Sequence, residues 1–231
     1  MGEVIFVTGT DTGAGKTVVT ALLLRHLRAE DVNARAVKPY CAGSLADARI
    51  LGGLQGDGAD LTKISPFVFP KPLAPGAQEH PGGKRPALAD ALGFVRQAGL
   101  QADVLLVEGC GGLMVPLGPG FMILDLIRAL QCRVILVAAN RLGAINHVLL
   151  SLRALESVGC EGTRVILSSV KRGGGAVGRS NEQYLQGFLG EDRVFALGYM
   201  GKNAGMARVF EKSDKTVKKL KKVLVGVMGG G

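Results

Sequence analysis

Near the amino end, the run Gly9-Thr10-Asp11-Thr12-Gly13-Ala14-Gly15-Lys16-Thr17 carries the groups that hold a polyphosphate. Glycines let successive backbone N–H groups face a phosphate, and a helix start adds a favourable dipole. A lysine reaches the β and γ phosphates, and a threonine hydroxyl ligates Mg²⁺. The strict spacing G-x-x-x-x-G-K-[ST] wants glycine at Thr10, whereas Gly9 stands one residue earlier. An apolar run before the loop and a helical stretch after it supply the setting that a phosphate loop needs.

Three further residues could join that chemistry. Glu108 ends the apolar run Val104–Val107 and is followed by Gly109-Cys110-Gly111-Gly112. This is either a Walker-B-like carboxylate for Mg²⁺ or an acid ending a surface strand. Lys38 precedes Pro39, which forces an extended exit from a strand. Its ammonium either neutralises a phosphoryl group in transit or is simply solvated. Asp47 either serves the same site or begins a helix.

The elements that must position these groups follow from periodicity. Val4–Val7, Val104–Val107, Val134–Ala138 and Val165–Leu167 are short and apolar throughout, with Ala34–Val37 a weaker fifth. Such runs fit strands covered on both faces, as in a parallel sheet. Helices are expected over Lys16–Arg28, Ala87–Ala98, Met122–Leu130, Ile145–Val158 and Asn181–Leu189. The alternation predicts an α/β chain, a single domain over residues 1–231 with a doubly wound, mostly parallel sheet of P-loop NTPase type. Ligands in such folds bind beyond the carboxyl ends of the strands, where Thr8-Gly9, Lys38-Pro39, Glu108-Gly109, Asn140-Arg141 and Ser168-Ser169 stand. Residues 66–86, with six prolines, read as a long surface loop near the site, and Gly173–Gly175 as another.

Composition narrows the class. The chain has 231 residues, 47% of them hydrophobic, which excludes a mostly disordered protein, and its 35 glycines lack a collagen period. No apolar run approaches the roughly 18 residues of a membrane helix, so a cytoplasmic chain is expected. Four cysteines without a C-x-x-C pair and three histidines make no zinc pattern. Of the net charge of +9, +6 falls in residues 201–231. A basic helix or tail at about 212–231, its lysines mostly on one solvated face, explains that charge better than nucleic-acid binding does.

Together these motifs resemble the dethiobiotin synthetase family, ATP-dependent ligases that close the ureido ring in biotin biosynthesis. The offset phosphate loop is similar to that family's own variant. Lys38-Pro39 with Gly43-Ser44, Asp47-Ala48, Val107-Glu108-Gly109-Cys110-Gly111-Gly112 with Pro116-Leu117, and Leu142-Gly143-Ala144-Ile145-Asn146-His147 follow in the family's order. The resemblance implies a homodimeric, Mg²⁺-dependent enzyme that takes ATP or another nucleoside triphosphate, CO₂ and 7,8-diaminononanoate. It implies that Lys16 and Lys38 stabilise the carbamate and the transferring phosphoryl group, that Thr12 holds the carbamate, and that Thr17, Asp47 and Glu108 arrange Mg²⁺. Gly13, Ala14, Gly15, Val18, Gly109, Cys110 and Gly111 would complete the nucleotide site. Ala42, Gly143, Ala144, Ile145, Asn146 and Tyr184 would face the diamino acid, its carboxylate held by the partner subunit. Asn146 and His147 also suit ordinary helix capping and packing.

The departures from the family are local. Ala42 stands where a substrate-contacting serine is usual, which removes a hydrogen bond worth ~1 kcal/mol. Ser168-Ser169 takes the place of an adenine-reading Asn-Asp pair, and Gly198-Tyr199-Met200-Gly201 replaces the usual stretch near the base. A base-tolerant enzyme is expected. The rival reading is a dimeric regulatory ATPase of the plasmid-partitioning or septum-positioning type. Those proteins carry a signature lysine where this chain has Asp11.

Overall fold

The computed structural model describes residues 2–56, 60–169, 175–200 and 221–224. In chain order the elements are β1 (Glu3–Gly9), α1 (Lys16–Ala29), β2 (Ala34–Val37), β3 (Tyr40–Ala42), α2 (Ala46–Gly53), β4 (Phe67–Phe69) and α3 (Leu88–Gly99). There follow β5 (Val104–Gly112), β6 (Pro116–Gly118), β7 (Phe121–Met122), α4 (Ile123–Leu130), β8 (Arg133–Asn140), α5 (Ala144–Glu156), β9 (Arg164–Ser169), α6 (Gly175–Leu189) and β10 (Val194–Leu197).

Six strands form one sheet in the order β10-β9-β8-β1-β5-β2, and every neighbouring pair is parallel. Successive side chains of a strand point to opposite faces, so an apolar run with no polar alternation needs a cover on each side. Ile5, Val7, Leu106, Ile135, Val137 and Ile166 pack under α1 and α2. Phe6, Leu105 and Val107 pack beneath α3 and α4 on the other face, and Leu136, Val165 and Leu167 beneath α5 and α6. The five apolar runs are therefore all strands of this sheet, the weaker Ala34–Val37 among them at one edge.

The differences from sequence expectation are local. The sheet's other edge is β10, a four-residue strand. Residues 66–86 are not wholly irregular, because Phe67–Phe69 pairs in parallel with Tyr40–Ala42. Helix α6 starts at Gly175 instead of Asn181, and residues 173–174 of the expected glycine loop lie outside the described residues. Most of the basic tail lies outside them too. In the part described, Lys221 and Lys222 are exposed while Val223 and Leu224 are buried in the core, and Lys221 pairs with Glu30 at 2.9 Å. No helix among the described residues is long and apolar enough to cross a membrane.

Strand β1 lies between β5 and β8 while the chain first runs outward to β2, so the connections diverge on either side of β1. A crevice opens at such a point, outside the carboxyl ends of the strands.

Candidate functional site

Gly15 caps the amino end of α1 with φ +100°, and a Cβ there would stand 2.8 Å from Ser168 Oγ. Only glycine adopts that backbone beside that neighbour without strain. No acidic residue occupies the first turn of α1, so its free N–H groups face the crevice without a competing negative charge. Lys16 Nζ turns back to donate to the carbonyls of Asp11 and Gly111, both at 2.9 Å, which stitches the phosphate loop to the end of β5. Burial, and then the charge of Lys38, pulls Lys16 below the ordinary lysine value.

The three residues left open by sequence meet in one cluster. Lys38 Nζ lies 2.6 Å from Glu108 Oε1 and 2.7 Å from Asp47 Oδ2. The Thr17 hydroxyl donates to the same Glu108 Oε1 at 2.7 Å. Asp47 sits in the first turn of α2, where the helix dipole favours its charge; it begins that helix and joins the site at once. Burial works against the charge on Lys38, but Glu108 and Asp47 outweigh it and hold the ammonium above its ordinary value. For Asp47, burial works to raise the carboxyl, and Lys38 together with Thr17 and Lys16 more than offsets it, so the net direction is down.

Glu108 is 1% exposed, and its second oxygen, Oε2, has no hydrogen-bond partner among the described residues. A buried carboxylate oxygen without a donor calls for a ligand. Two carboxylates and one hydroxyl suit Mg²⁺, which keeps several waters and takes substrate phosphates as its other ligands. The donor set fits that ion.

These groups form the floor of a cavity of about 570 Å³. Ala42, Val115 and Pro72–Pro75 give it an apolar wall, and Thr12, Gly13, Gly15 and Val18 lie at the phosphate-loop side. Gly111, with φ +67°, lies against Val115, whose Cγ2 would be 2.7 Å from a Cβ at that position. A side chain there would push Val115 out of the wall. Cys110 also lines the cavity, its thiol pushed up to about 11 by burial.

Of the other residues singled out by sequence, Ala14 is buried beneath the loop, and Gly109 packs on the Phe6 ring, 3.0 Å from where a Cβ would stand. Ser168 and Ser169 end β9, with Ser168 against Gly15. Gly143, Ala144, Ile145, Asn146 and Tyr184 do not line the cavity. Gly143 caps α5 with φ +88°, and Tyr184 is half exposed on α6, stacked on Phe188. Sequence reasoning missed Ser44, Val115 and the Pro72–Leu73–Ala74–Pro75 wall as individual site residues, although the proline density of residues 66–86 marked the segment.

A family model described as an AAA domain matches residues 3–202. The ATP-dependent dethiobiotin synthetase of Bacillus licheniformis is 31% identical over 80% of this chain and 81% of its own. That of Rhodococcus jostii is 37% identical over 83% and 84%. The chain belongs to the dethiobiotin synthetase family. A third member, from Anaeromyxobacter dehalogenans, is 38% identical over 71% of this chain and 75% of its own. Among solved structures, two that share the fold of this chain are of another kind. The MinC:MinD cell division protein complex of Aquifex aeolicus aligns with TM-score 0.59 at 15% identity, covering 99% of this chain and 97% of its own. The pNOB8 ParA bound to nonspecific DNA gives TM-score 0.59 at 13% identity over the whole of both chains. At that identity the likeness is one of fold, and the family assignment sets aside the partitioning-type alternative.

Proposed function

We propose that this chain makes dethiobiotin, closing a ureido ring from 7,8-diaminononanoate and CO₂ at the expense of ATP in biotin biosynthesis. The observation that carries the reading is the joining, in one cavity, of a phosphate loop, a Lys38–Asp47–Glu108 cluster and an apolar wall. One amine attacks CO₂ and loses a proton, giving an N-carbamate. The carbamate oxygen displaces ADP from the γ-phosphorus, and the second amine attacks the carbamoyl carbon, expelling phosphate and a proton.

The substrate supplies both nucleophiles, so the residues have positioning and charge to provide. Backbone N–H groups of Gly13–Thr17 hold the phosphates, with Lys16 bridging the β and γ groups. Lys38 neutralises the carbamate and the phosphoryl group in transit, and the Thr12 hydroxyl at the cavity mouth steadies the carbamate. Thr17, Asp47 and Glu108 would hold Mg²⁺, which would offset charge on the phosphate oxygens when bound. Ala42 contributes only apolar contact, which weakens hold on the diamine. Ser168 and Ser169 offer short hydroxyls in place of a base-reading amide and carboxylate, so the enzyme accepts more than one base.

The active form is a homodimer. Leu142, Leu150, Tyr184 and Phe188 leave an apolar face on and beside α5 and α6, 52–86% exposed, and a second copy covers such a face. The Ala144 N–H at the amino end of α5 is taken by the Arg141 carbonyl at 3.0 Å, so the N–H groups of Ile145 and Asn146 are those that meet the diamino acid's carboxylate across the interface. Four free thiols fit a reducing cytoplasm.

The test is phosphate release with Mg²⁺, bicarbonate and ATP or CTP, with and without the diamine, with dethiobiotin followed by mass. Diamine-dependent release with dethiobiotin formed, from both nucleotides, is expected. Release indifferent to the diamine overturns the ligase reading.

A further inference from the structure

Lys38 touches the groups that a divalent cation would need. Its ammonium lies 2.6 Å from Glu108 Oε1 and 2.7 Å from Asp47 Oδ2. The remaining candidate ligand, the Thr17 hydroxyl, spends its proton on that same Glu108 oxygen at 2.7 Å. Lys38 is 6% exposed and Glu108 1%. A carboxylate buried that deeply without a counter-charge is strongly disfavoured. The other lysine of the cavity does not supply the charge by contact, because its Nζ is held by the carbonyls of Asp11 and Gly111.

We propose that Lys38 is a built-in stand-in for the metal, occupying its carboxylates while the site is empty and giving them up when the ion arrives with nucleotide. This inference rests on the reading of Thr17, Asp47 and Glu108 as the metal set. Mg²⁺ binds oxygen at about 2.0–2.1 Å. An ammonium sharing that oxygen would stand in strong repulsion with the ion, so one cation must yield. Pro39 and the hydrogen bond from the Lys38 N–H to the Ile64 carbonyl at 2.9 Å fix the backbone of Lys38, and the change falls on the side chain. The displaced ammonium already lines the cavity that would hold the carbamate and the phosphoryl group. The lysine thus becomes available to the reacting groups when the metal is in place. It also makes the free enzyme a poor metal binder, because an ion entering alone must displace an ion pair with no phosphate to compensate.

The test uses Mn²⁺ as the probe and the full chain, with binding followed by the loss of the free-ion electron paramagnetic resonance signal. Without nucleotide, Lys38→Met should bind Mn²⁺ at least about tenfold more tightly than the parent, whereas Lys38→Arg, which keeps the charge, should remain weak. Mn²⁺ should also raise the melting temperature of Lys38→Met more than that of the parent. With a non-hydrolysable ATP analogue the parent itself should bind Mn²⁺ beyond what the same analogue takes up without protein. Failure of that last arm overturns the metal reading. Success there with no tightening in Lys38→Met overturns the stand-in alone. Should Lys38→Met not fold, ¹⁵N-lysine NMR of the parent decides, with the Lys38 ammonium signal assigned by its loss in Lys38→Arg. Displacement of that signal by analogue plus Mg²⁺, but not by analogue alone, is expected. A signal unmoved at saturating Mg²⁺ overturns the proposal.

Discussion

Glu108→Gln keeps the shape of the side chain and one oxygen to accept from Thr17, and removes the charge and one acceptor oxygen. In the parent, Lys38 is bonded to Glu108 at 2.6 Å and to Asp47 at 2.7 Å, with the Asp47 side chain 43% exposed. Stripping one partner from a fully buried ion pair costs about 3–5 kcal/mol. Here Asp47 remains as a second, partly solvated partner, so the loss should be smaller, about 1.5–3 kcal/mol. For a chain of this size each kcal/mol moves the melting temperature by about 2–4 °C, which gives a fall of about 3–12 °C. Thermal unfolding in EDTA without nucleotide measures it. The decisive step is the double variant Glu108→Gln/Lys38→Met, which removes both buried charges. It should recover much of the loss, since an apolar pair of similar volume commonly does no worse than an ion pair. A Glu108→Gln protein that melts within a degree of the parent, or a double variant whose losses simply add, would refute the view that these two groups are stabilised by one another.

Four further outcomes are expected. Lys16→Ala should abolish phosphate release with any nucleotide while the fold survives by circular dichroism, since its Nζ contacts are to loop carbonyls and not to the core. Lys38→Ala should lower kcat far more than nucleotide affinity, and equal losses by kinetics and calorimetry would make it a binding residue only. Gly15→Ala, at φ +100° and 2.8 Å from Ser168 Oγ, should cost about 1–2 kcal/mol and weaken nucleotide binding, both read by thermal shift with and without ATP. Asp47, held below its ordinary value against the pull of burial, stabilises the fold above the unfolded carboxylate value of 3.8, and that contribution fades as pH falls through its lower folded value. Acid titration of metal-free Asp47→Asn should therefore show a shallower loss of stability than the parent.

The residues that sequence made legible are those whose chemistry is local. The Gly9–Thr17 motif spans one strand end, one turn and one helix start, and those elements stand where the sequence puts them, because they could be read without knowing what lay opposite. The apolar runs could be read for the same kind of reason, because a parallel strand buried on both faces has no polar alternation to hide it. By contrast, the fate of Lys38 depends on Glu108, 70 residues away. A strand-end lysine and a strand-end glutamate each have a bland surface explanation until the sheet sets β2 beside β5. Strands β3 and β4 escaped because each is three residues long and they pair across a long, proline-rich connection. Strand β10 escaped because four apolar residues following a turn make a weak signal. The start of α6 was misjudged because glycine reads as a breaker, yet Gly178 lies where a Cβ would stand 3.2 Å from Asn140 Nδ2. Its carbonyl takes a hydrogen bond from that same nitrogen at 3.1 Å.

That last contact shows how the fold joins the far end of the sheet to the phosphate loop. Asn140, at the tip of β8, is bonded to Gly178 and to Asn181 on α6, and Asn181 also donates to the Arg141 carbonyl at 2.9 Å. Arg141 in turn pairs with Asp11 of the phosphate loop at 3.5 Å. Asp11 therefore closes a chain that runs from α6 through the β8 tip to the Gly9–Thr17 loop. A lysine at that position would set two cations against each other here. The fold shared with the partitioning-type ATPases is a matter of sheet and helices, whereas the negative charge of Asp11 ties this chain's phosphate loop to the β8 tip and α6.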